Sequence, residues 1–159
     1  MTASIRPEES TADLIALART RVKAITDSLP VIVDPASISL RAKIPFKAMC
    51  YREGLIWRIE ELGRSACDAF GRGDDVAGIT LARGVAESAA ACWYLNRLIV
   101  KHIDTPLDKA ELNEKIEALL LGSKRDDDEI PKAVNVLTFL QHVHKTIPGV
   151  LQAYHHMSE

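Results

Sequence analysis

The longest amphipathic pattern in the chain runs from Asp75 to His102 and predicts one long helix. Its apolar residues fall within one broad arc at ~100° per residue; they are Leu81, Val85, Ala89, Cys92, Trp93, Ile99 and Val100. The opposite arc carries a stripe of polar residues, namely Arg83, Glu87, Tyr94, Arg97 and Lys101. Gly78 and Gly84 each disfavour the helix by roughly 1 kcal/mol relative to alanine, which indicates close packing against another backbone. We therefore expect a bundle to enclose this helix.

A second long helix is predicted from about Phe46 to Phe70. Its apolar arc comprises Ala48, Tyr51, Leu55, Ile59, Leu62, Ala66 and Phe70. Two residues depart from this pattern. Arg52 lies at the edge of the apolar arc, where a cation must reach solvent along its stem or find a carboxylate partner. Trp57 lies among charged residues, a position more typical of a contact surface than of free solvent.

Shorter helices are predicted on both sides of this central pair. The first begins near Ser10 or Thr11, where Ser10 and Asp13 have capping-box spacing, and ends before Pro30. Residues 1–9 are expected to be flexible, and residues 30–45 to form an extended connection with a short strand as a weaker alternative. Later signals mark three more helices: an N-terminal cap at Thr105 with an end at Gly122, a start at Pro131, and a break at Pro148-Gly149. The pattern predicts one all-α domain over residues 1–159, a bundle of about five to six helices with two long central antiparallel helices.

Composition narrows the functional classes. With 159 residues, a formal net charge of -2 and a pI near 6.2, the chain has no global attraction to nucleic acid or to anionic membranes. The apolar run of the central helix is interrupted by Glu87 and Arg97, so it is not expected to span a membrane. Three cysteines without a secretory signal indicate reduced thiols in a cytoplasmic protein.

Neither a metal site nor a familiar enzyme motif is indicated. His142 and His144 are two residues apart, and His155 and His156 are adjacent, so each pair diverges on a helix. Metal sites in helical bundles use ligands three or four residues apart. The chain also lacks a glycine-rich phosphate loop and a nucleophile elbow. We expect no metal and no cofactor.

The polar stripe of the central helix leaves two interpretations open. Arg83 and Glu87 are four residues apart with the base first, the less stabilising order for a surface ion pair. One interpretation is a solvated face with a modest pair. The other is a groove in which Arg52, Arg83 and Arg97 bind a phosphate or carboxylate while Tyr94 stacks or donates a hydrogen bond.

Three segments resemble uncharacterised bacterial proteins of the HEPN type, which are helical domains found in nucleotide-binding and ribonuclease toxins. The segments are YREGLIWRIEEL (residues 51–62), LARGVAESAAACWYL (residues 81–95) and YHHMSE (residues 154–159). Similar proteins carry an Arg-x-x-x-Glu step in the middle helix, which Arg83 and Glu87 match. Similar proteins also continue from a Ser-Glu step into a His-Pro segment, so truncation after residue 159 is one interpretation of the difference.

The resemblance also implies a catalytic pair. HEPN ribonucleases carry an Arg-x-x-x-x-His motif, which Arg97 and His102 match. The resemblance would make His102 the general acid or base on a ribose 2'-hydroxyl and Arg97 the stabiliser of the phosphate. On a regular helix a five-residue step separates the two side chains by ~140°, so convergence requires a distorted helix.

Three functional hypotheses follow. The leading one is a non-enzymatic helical bundle that self-associates, as a homodimer, and acts as a binding or regulatory module with Trp57 or the small-residue faces at the interface. The second is a HEPN-like RNA-binding protein or metal-independent endoribonuclease, with RNA or a nucleotide as partner. The third is a small-ligand pocket lined by Arg52, Glu87 and Tyr94.

Overall fold

A computed structural model describes residues 10–34, 36, 43–105, 108–123 and 131–158. Within these residues the chain forms helices, together with one isolated parallel β-bridge between Ser123 and Lys132. The helices are α1 (Thr11–Thr26), α2 (Lys43–Arg72), α3 (Asp75–Asp104), α4 (Lys109–Leu121), α5 (Val136–His144) and α6 (Val150–His156). The predicted all-α bundle is therefore confirmed, including its two long central helices.

Helices α2 and α3 form an antiparallel hairpin at the centre of the bundle. Gly73 reverses the chain between them with φ of 78°, a conformation that favours glycine. The two helices approach closely because α3 has glycine at two contacts. A Cβ atom on Gly78 would lie 2.7 Å from the ring of Phe70, and one on Gly84 would lie 2.8 Å from Cδ1 of Leu62. The glycines therefore make room for the side chains of Phe70 and Leu62 on α2, whereas the sequence predicted the close approach of a backbone.

The core consists of two groups of buried side chains on either side of α3. One joins α3 to α5 and α6 and comprises Ala90, Ala91, Phe139, Leu140, Val143 and Tyr154. The other joins α2, α3 and α4 and comprises Ala48, Leu95, Leu98, Leu112 and Ile116. Because α3 is covered from two sides, its buried surface is not the single arc that the pattern predicted. Ala89 is exposed, Ser88 is buried, and much of the polar stripe is half-buried.

Helix α1 packs along the outside of α2. It begins with the predicted capping box, in which Asp13 N donates to Ser10 Oγ at 3.2 Å and Ser10 N donates to Asp13 Oδ2 at 3.1 Å. At the other end of α1, Thr26 Oγ1 donates to Glu60 Oε1 at 3.2 Å. This carboxylate is buried, although its four-residue spacing to Arg64 predicts an ion pair on the outer surface.

Several local predictions about the connections were wrong. The four-residue spacing of Asp68 and Arg72 predicts an ion pair on α2, but Asp68 pairs with Arg19 of α1 at 2.9 Å. Thr105 ends α3, and α4 begins after Asp108. Pro131 precedes α5 by several residues, because its carbonyl accepts a hydrogen bond from Ser123 N at 2.9 Å.

Helix α2 begins at Lys43, so residues 43–45 belong to it and not to the predicted extended connection. The other boundaries agree with the sequence or lie outside the described residues. Gly122 ends α4 as predicted, and Gly149, with φ of 99°, starts α6 after the predicted break. Residues 31–33 form no strand, whereas Leu40, Pro106 and residues 124–129 are not described. In the part of the chain that is described, no helix has both the length and the apolar character that a membrane span requires.

Candidate functional site

Arg83 and Glu87, the Arg-x-x-x-Glu step of α3, are joined through a third residue. Arg83 Nη2 donates to Tyr154 Oη at 3.2 Å, and Tyr154 Oη donates to Glu87 Oε1 at 2.7 Å. The guanidinium carbon also lies 5.1 Å from the centroid of the Tyr154 ring. Tyr154 is only 6% exposed, so this hydroxyl links α6 to α3 inside the bundle.

This network explains the electrostatics of Arg83 without a ligand. The hydrogen bond to Tyr154 is the main cause that raises the pKa of the Arg83 guanidinium, and the carboxylate of Glu87 contributes further. Arg83 Nε is buried and has no hydrogen-bond partner among the described residues. The arrangement favours a structural role for Arg83 and Glu87. Sequence reasoning missed Tyr154, because nothing in a C-terminal segment indicates which of its side chains will reach a helix 67 residues earlier.

Further along α3, the polar stripe borders a cleft formed with α4 and α5, which we name the α3–α4–α5 cleft. The cleft has a volume of about 430 Å³. Its lining residues include Tyr94, Arg97, Lys101, Asp104, Thr105, Lys115 and His142. Tyr94 is fixed at one side, since its ring lies 5.2 Å from that of Phe139 and 5.0 Å, edge-on, from that of His142.

Basic side chains outnumber acidic ones in the α3–α4–α5 cleft. Arg97, Lys101 and Lys115 line it together with one carboxylate, Asp104. Lys115 forms an ion pair with Glu111 on its own helix. The hydrogen bond from Lys115, followed by its charge and the charge of Lys101, lowers the pKa of the Glu111 carboxyl. Arg97 and Lys101 form no ion pair or hydrogen bond with the described part of the chain.

Arg97 and His102 line different clefts. Helix α3 is a regular α-helix through Asp104, so the distortion that would bring the two side chains together is absent. Arg97 faces the α3–α4–α5 cleft, whereas His102 lines an apolar cleft with residues such as Ala48 and Ile116. The histidine that shares a cleft with Arg97 is His142 of α5, which sequence spacing could not identify.

Arg52 is engaged with a residue that the sequence did not single out. It forms an ion pair with the buried carboxylate of Glu53, whose second oxygen has no hydrogen-bond partner among the described residues. Burial raises the pKa of the nearby Cys92 thiol, while the charge of Arg52 lowers it and that of Glu53 raises it. Arg52, Glu87 and Tyr94 therefore have different partners, and the structure does not bring them together as one pocket.

A third depression is apolar and runs between α1, α2 and α3; we name it the α1–α2–α3 groove. It has a volume of about 490 Å³ and is open to solvent. Its lining is almost entirely apolar and includes Leu14, Ile15, Ala18, Val22, Ile59, Phe70, Ala82 and Val85, with Gly63 and Cys67 at its floor. No side chain of α1 is fully buried, and Leu14 remains 38% exposed.

Trp57 lies on α2 outside this groove and is 49% exposed. This exposure is what we expect of a residue on a contact surface. Cys50, Cys67 and Cys92 are free thiols. Among the residues that the structure describes, no group of three or more histidine, cysteine or acidic side chains could hold a metal ion.

Comparison with known proteins does not place this chain. No protein-family model, no curated protein and no solved structure matches it.

Proposed function

We propose that this protein is a self-associating helical module that dimerises through the α1–α2–α3 groove and acts by binding rather than by catalysis. The observation that carries this proposal is the open apolar lining of that groove. Apolar surface removed from water contributes about 25 cal/mol per Å². An uncovered groove of this kind is typical of a surface that another protein covers.

The exposure of the apolar face of α1 also supports a partner at this groove. An amphipathic helix is normally held by burial of its apolar face, yet α1 has no fully buried residue. It is attached mainly to α2, through Val22 beside Gly63 and through the Arg19–Asp68 pair. A second protein surface laid over the groove would bury the remaining apolar face of α1.

A second copy of the chain is the partner that fits best. At the start of α3, Val76 is 81% exposed and Ile79 is 38% exposed; because they are three residues apart on the helix, they form a small apolar ridge. The contact between Phe70, which lines the groove, and Gly78 places this ridge at the same end of the bundle. In a two-fold dimer, the ridge of each protomer could enter the groove of the other, which is the self-complementary arrangement that an isologous interface requires.

Sedimentation equilibrium over a range of protein concentrations tests the proposal. The wild-type chain should fit a reversible monomer–dimer equilibrium. Leu14→Lys should shift it to monomer, because a lysine side chain would be desolvated in the covered groove while remaining solvated in the monomer. Ile103→Lys is the matched control, since Ile103 is 70% exposed near the far end of α3 and should leave the dimer unchanged.

Two results would overturn the proposal: a wild-type chain that stays monomeric at the highest concentration, or equal weakening of the dimer by both variants. Trp57→Ala separates the two interface hypotheses. If Trp57→Ala abolishes the dimer while Leu14→Lys leaves it intact, the interface lies on the Trp57 surface and not at the groove.

A further inference from the structure

We propose that the α3–α4–α5 cleft binds the phosphomonoester group of a small ligand. This inference does not depend on the groove or on dimer formation. It rests on three observations: basic groups contributed by separate helices, two cations that form no hydrogen bond or ion pair with the described residues, and a cleft of suitable size.

The basic groups converge from three elements of the bundle. Arg97 and Lys101 are one turn apart on α3, Lys115 comes from α4, and His142 comes from α5. A phosphomonoester has a charge of about -1.5 to -2 at neutral pH and three terminal oxygens that accept hydrogen bonds. Donors that approach from separate helices can contact different oxygens of one such group, which a single surface helix could not do.

The two cations on α3 are available for a ligand. Elsewhere in the described chain, many basic side chains are paired, as Arg19 is with Asp68 and Lys47 with Glu117. Arg97 and Lys101 have no such hydrogen-bonded partner, although Lys101 lies close enough to Glu111 to affect its pKa. A guanidinium can also donate two parallel hydrogen bonds to phosphate, which makes Arg97 the expected principal contact.

The size of the cleft indicates a small molecule. Its volume of about 430 Å³ lies within the range of roughly 300 to 1,000 Å³ for small-molecule sites. Asp104 at the edge of the cleft would repel an anion and is expected to limit affinity. The proposed site therefore gives two predictions of opposite sign: loss of Arg97 weakens binding, and neutralisation of Asp104 strengthens it.

The experiment is a ¹H–¹⁵N NMR titration of the full chain with inorganic phosphate, followed by phenyl phosphate as a monoester probe. Saturable shifts are expected at the amides of residues 94–105 and near His142. Arg97→Gln should weaken binding about tenfold, as expected for a lost hydrogen bond between charged groups. Asp104→Asn should strengthen it by roughly two- to fivefold. Arg58→Gln, which removes an exposed arginine of α2 outside the cleft, is the matched control and should change nothing.

Each alternative outcome is decisive. Equal effects of Arg97→Gln and Arg58→Gln, or shifts that never saturate, would show only nonspecific charge attraction and would reject the site. A short single-stranded RNA that binds at this cleft while inorganic phosphate and phenyl phosphate do not would also reject the small-ligand proposal. Repeating the titration with Leu14→Lys separates the two proposals, since a monomeric variant that still binds phosphate supports the cleft independently of dimerisation.

Discussion

Replacing Tyr154 by phenylalanine removes one oxygen atom, and with it the link between α6 and the Arg83–Glu87 step of α3. The hydroxyl is buried and donates to the Glu87 carboxylate at 2.7 Å. A hydrogen bond to a charged group contributes about 1.5 to 3 kcal/mol to stability. We assign no energy to the longer contact from Arg83, and the stacking of the guanidinium on the ring is retained. The free energy of unfolding should therefore fall by about 2 kcal/mol, and Tm by about 4 to 8 °C.

Urea denaturation followed by circular dichroism at the helical minimum measures this change. The comparison is best made in the Leu14→Lys background, so that loss of a dimer does not contribute to the unfolding free energy. Tyr94→Phe is the matched control. The Tyr94 ring packs on Phe139 and His142, but its hydroxyl makes no hydrogen bond within the described residues. Its removal should change stability by less than about 0.5 kcal/mol.

If Tyr154→Phe and Tyr94→Phe lowered the free energy of unfolding equally, the buried Tyr154 hydroxyl would make no special contribution to stability. A double-mutant cycle with Glu87→Gln gives a second check. If the hydroxyl acts through the Glu87 carboxylate, the double variant should lose less stability than the sum of the two single variants. Additive losses would show that the two side chains stabilise the protein independently, despite their short distance.

Two further predictions concern packing and pH. Gly78→Ala should destabilise the protein by about 1 to 3 kcal/mol, because its Cβ would overlap the Phe70 ring. Gly54→Ala, where no atom lies within 4 Å of the added Cβ, should stabilise the protein by up to about 1 kcal/mol. Urea denaturation measures both changes. Equal effects at the two glycines would contradict the packing argument. Burial is the main cause that raises the pKa of the Cys67 and Cys92 thiols above the ordinary value of 9.0, so the unfolded chain loses these protons first. The contribution of these thiols to stability should be constant below that pH and decline above it, and Cys92→Ala should reduce the decline in urea midpoints measured from about pH 7 to about pH 10.

The helices could be predicted from the sequence because each depends on local periodicity. The connections could be predicted less well, since a local signal there competes with tertiary contacts. Thr105 and Pro131 both have residue types that favour the start of a helix. In the structure Thr105 ends α3, and the Pro131 carbonyl is used by Ser123. Neither outcome could be read from the residues around the signal.

The buried carboxylate of Glu60 shows the same limit of prediction from local sequence. Glu60 has the four-residue spacing to Arg64 that suggests an exposed ion pair, and that pair does form at 3.2 Å. Its burial comes from α1, which lies some 34 residues earlier and supplies Thr26 as a second donor. Spacing along one helix predicts the neighbours on that helix, but it contains no information about what covers them.

The polar stripe of α3 illustrates how a ligand site could arise where another helix covers only part of a polar surface. Its residues from Arg83 to Lys101 are separated by three, four or seven positions, all of which keep to one face of a helix, so the sequence alone offers no reason to treat the two ends differently. In the structure, Tyr154 of α6 forms hydrogen bonds with Arg83 and Glu87, which are the first part of the stripe. Arg97 and Lys101, the second part, lie beyond the reach of Tyr154 and border an open cleft. Because a cation without a protein partner remains available to an anion, the second part of the stripe is where ligand binding is expected.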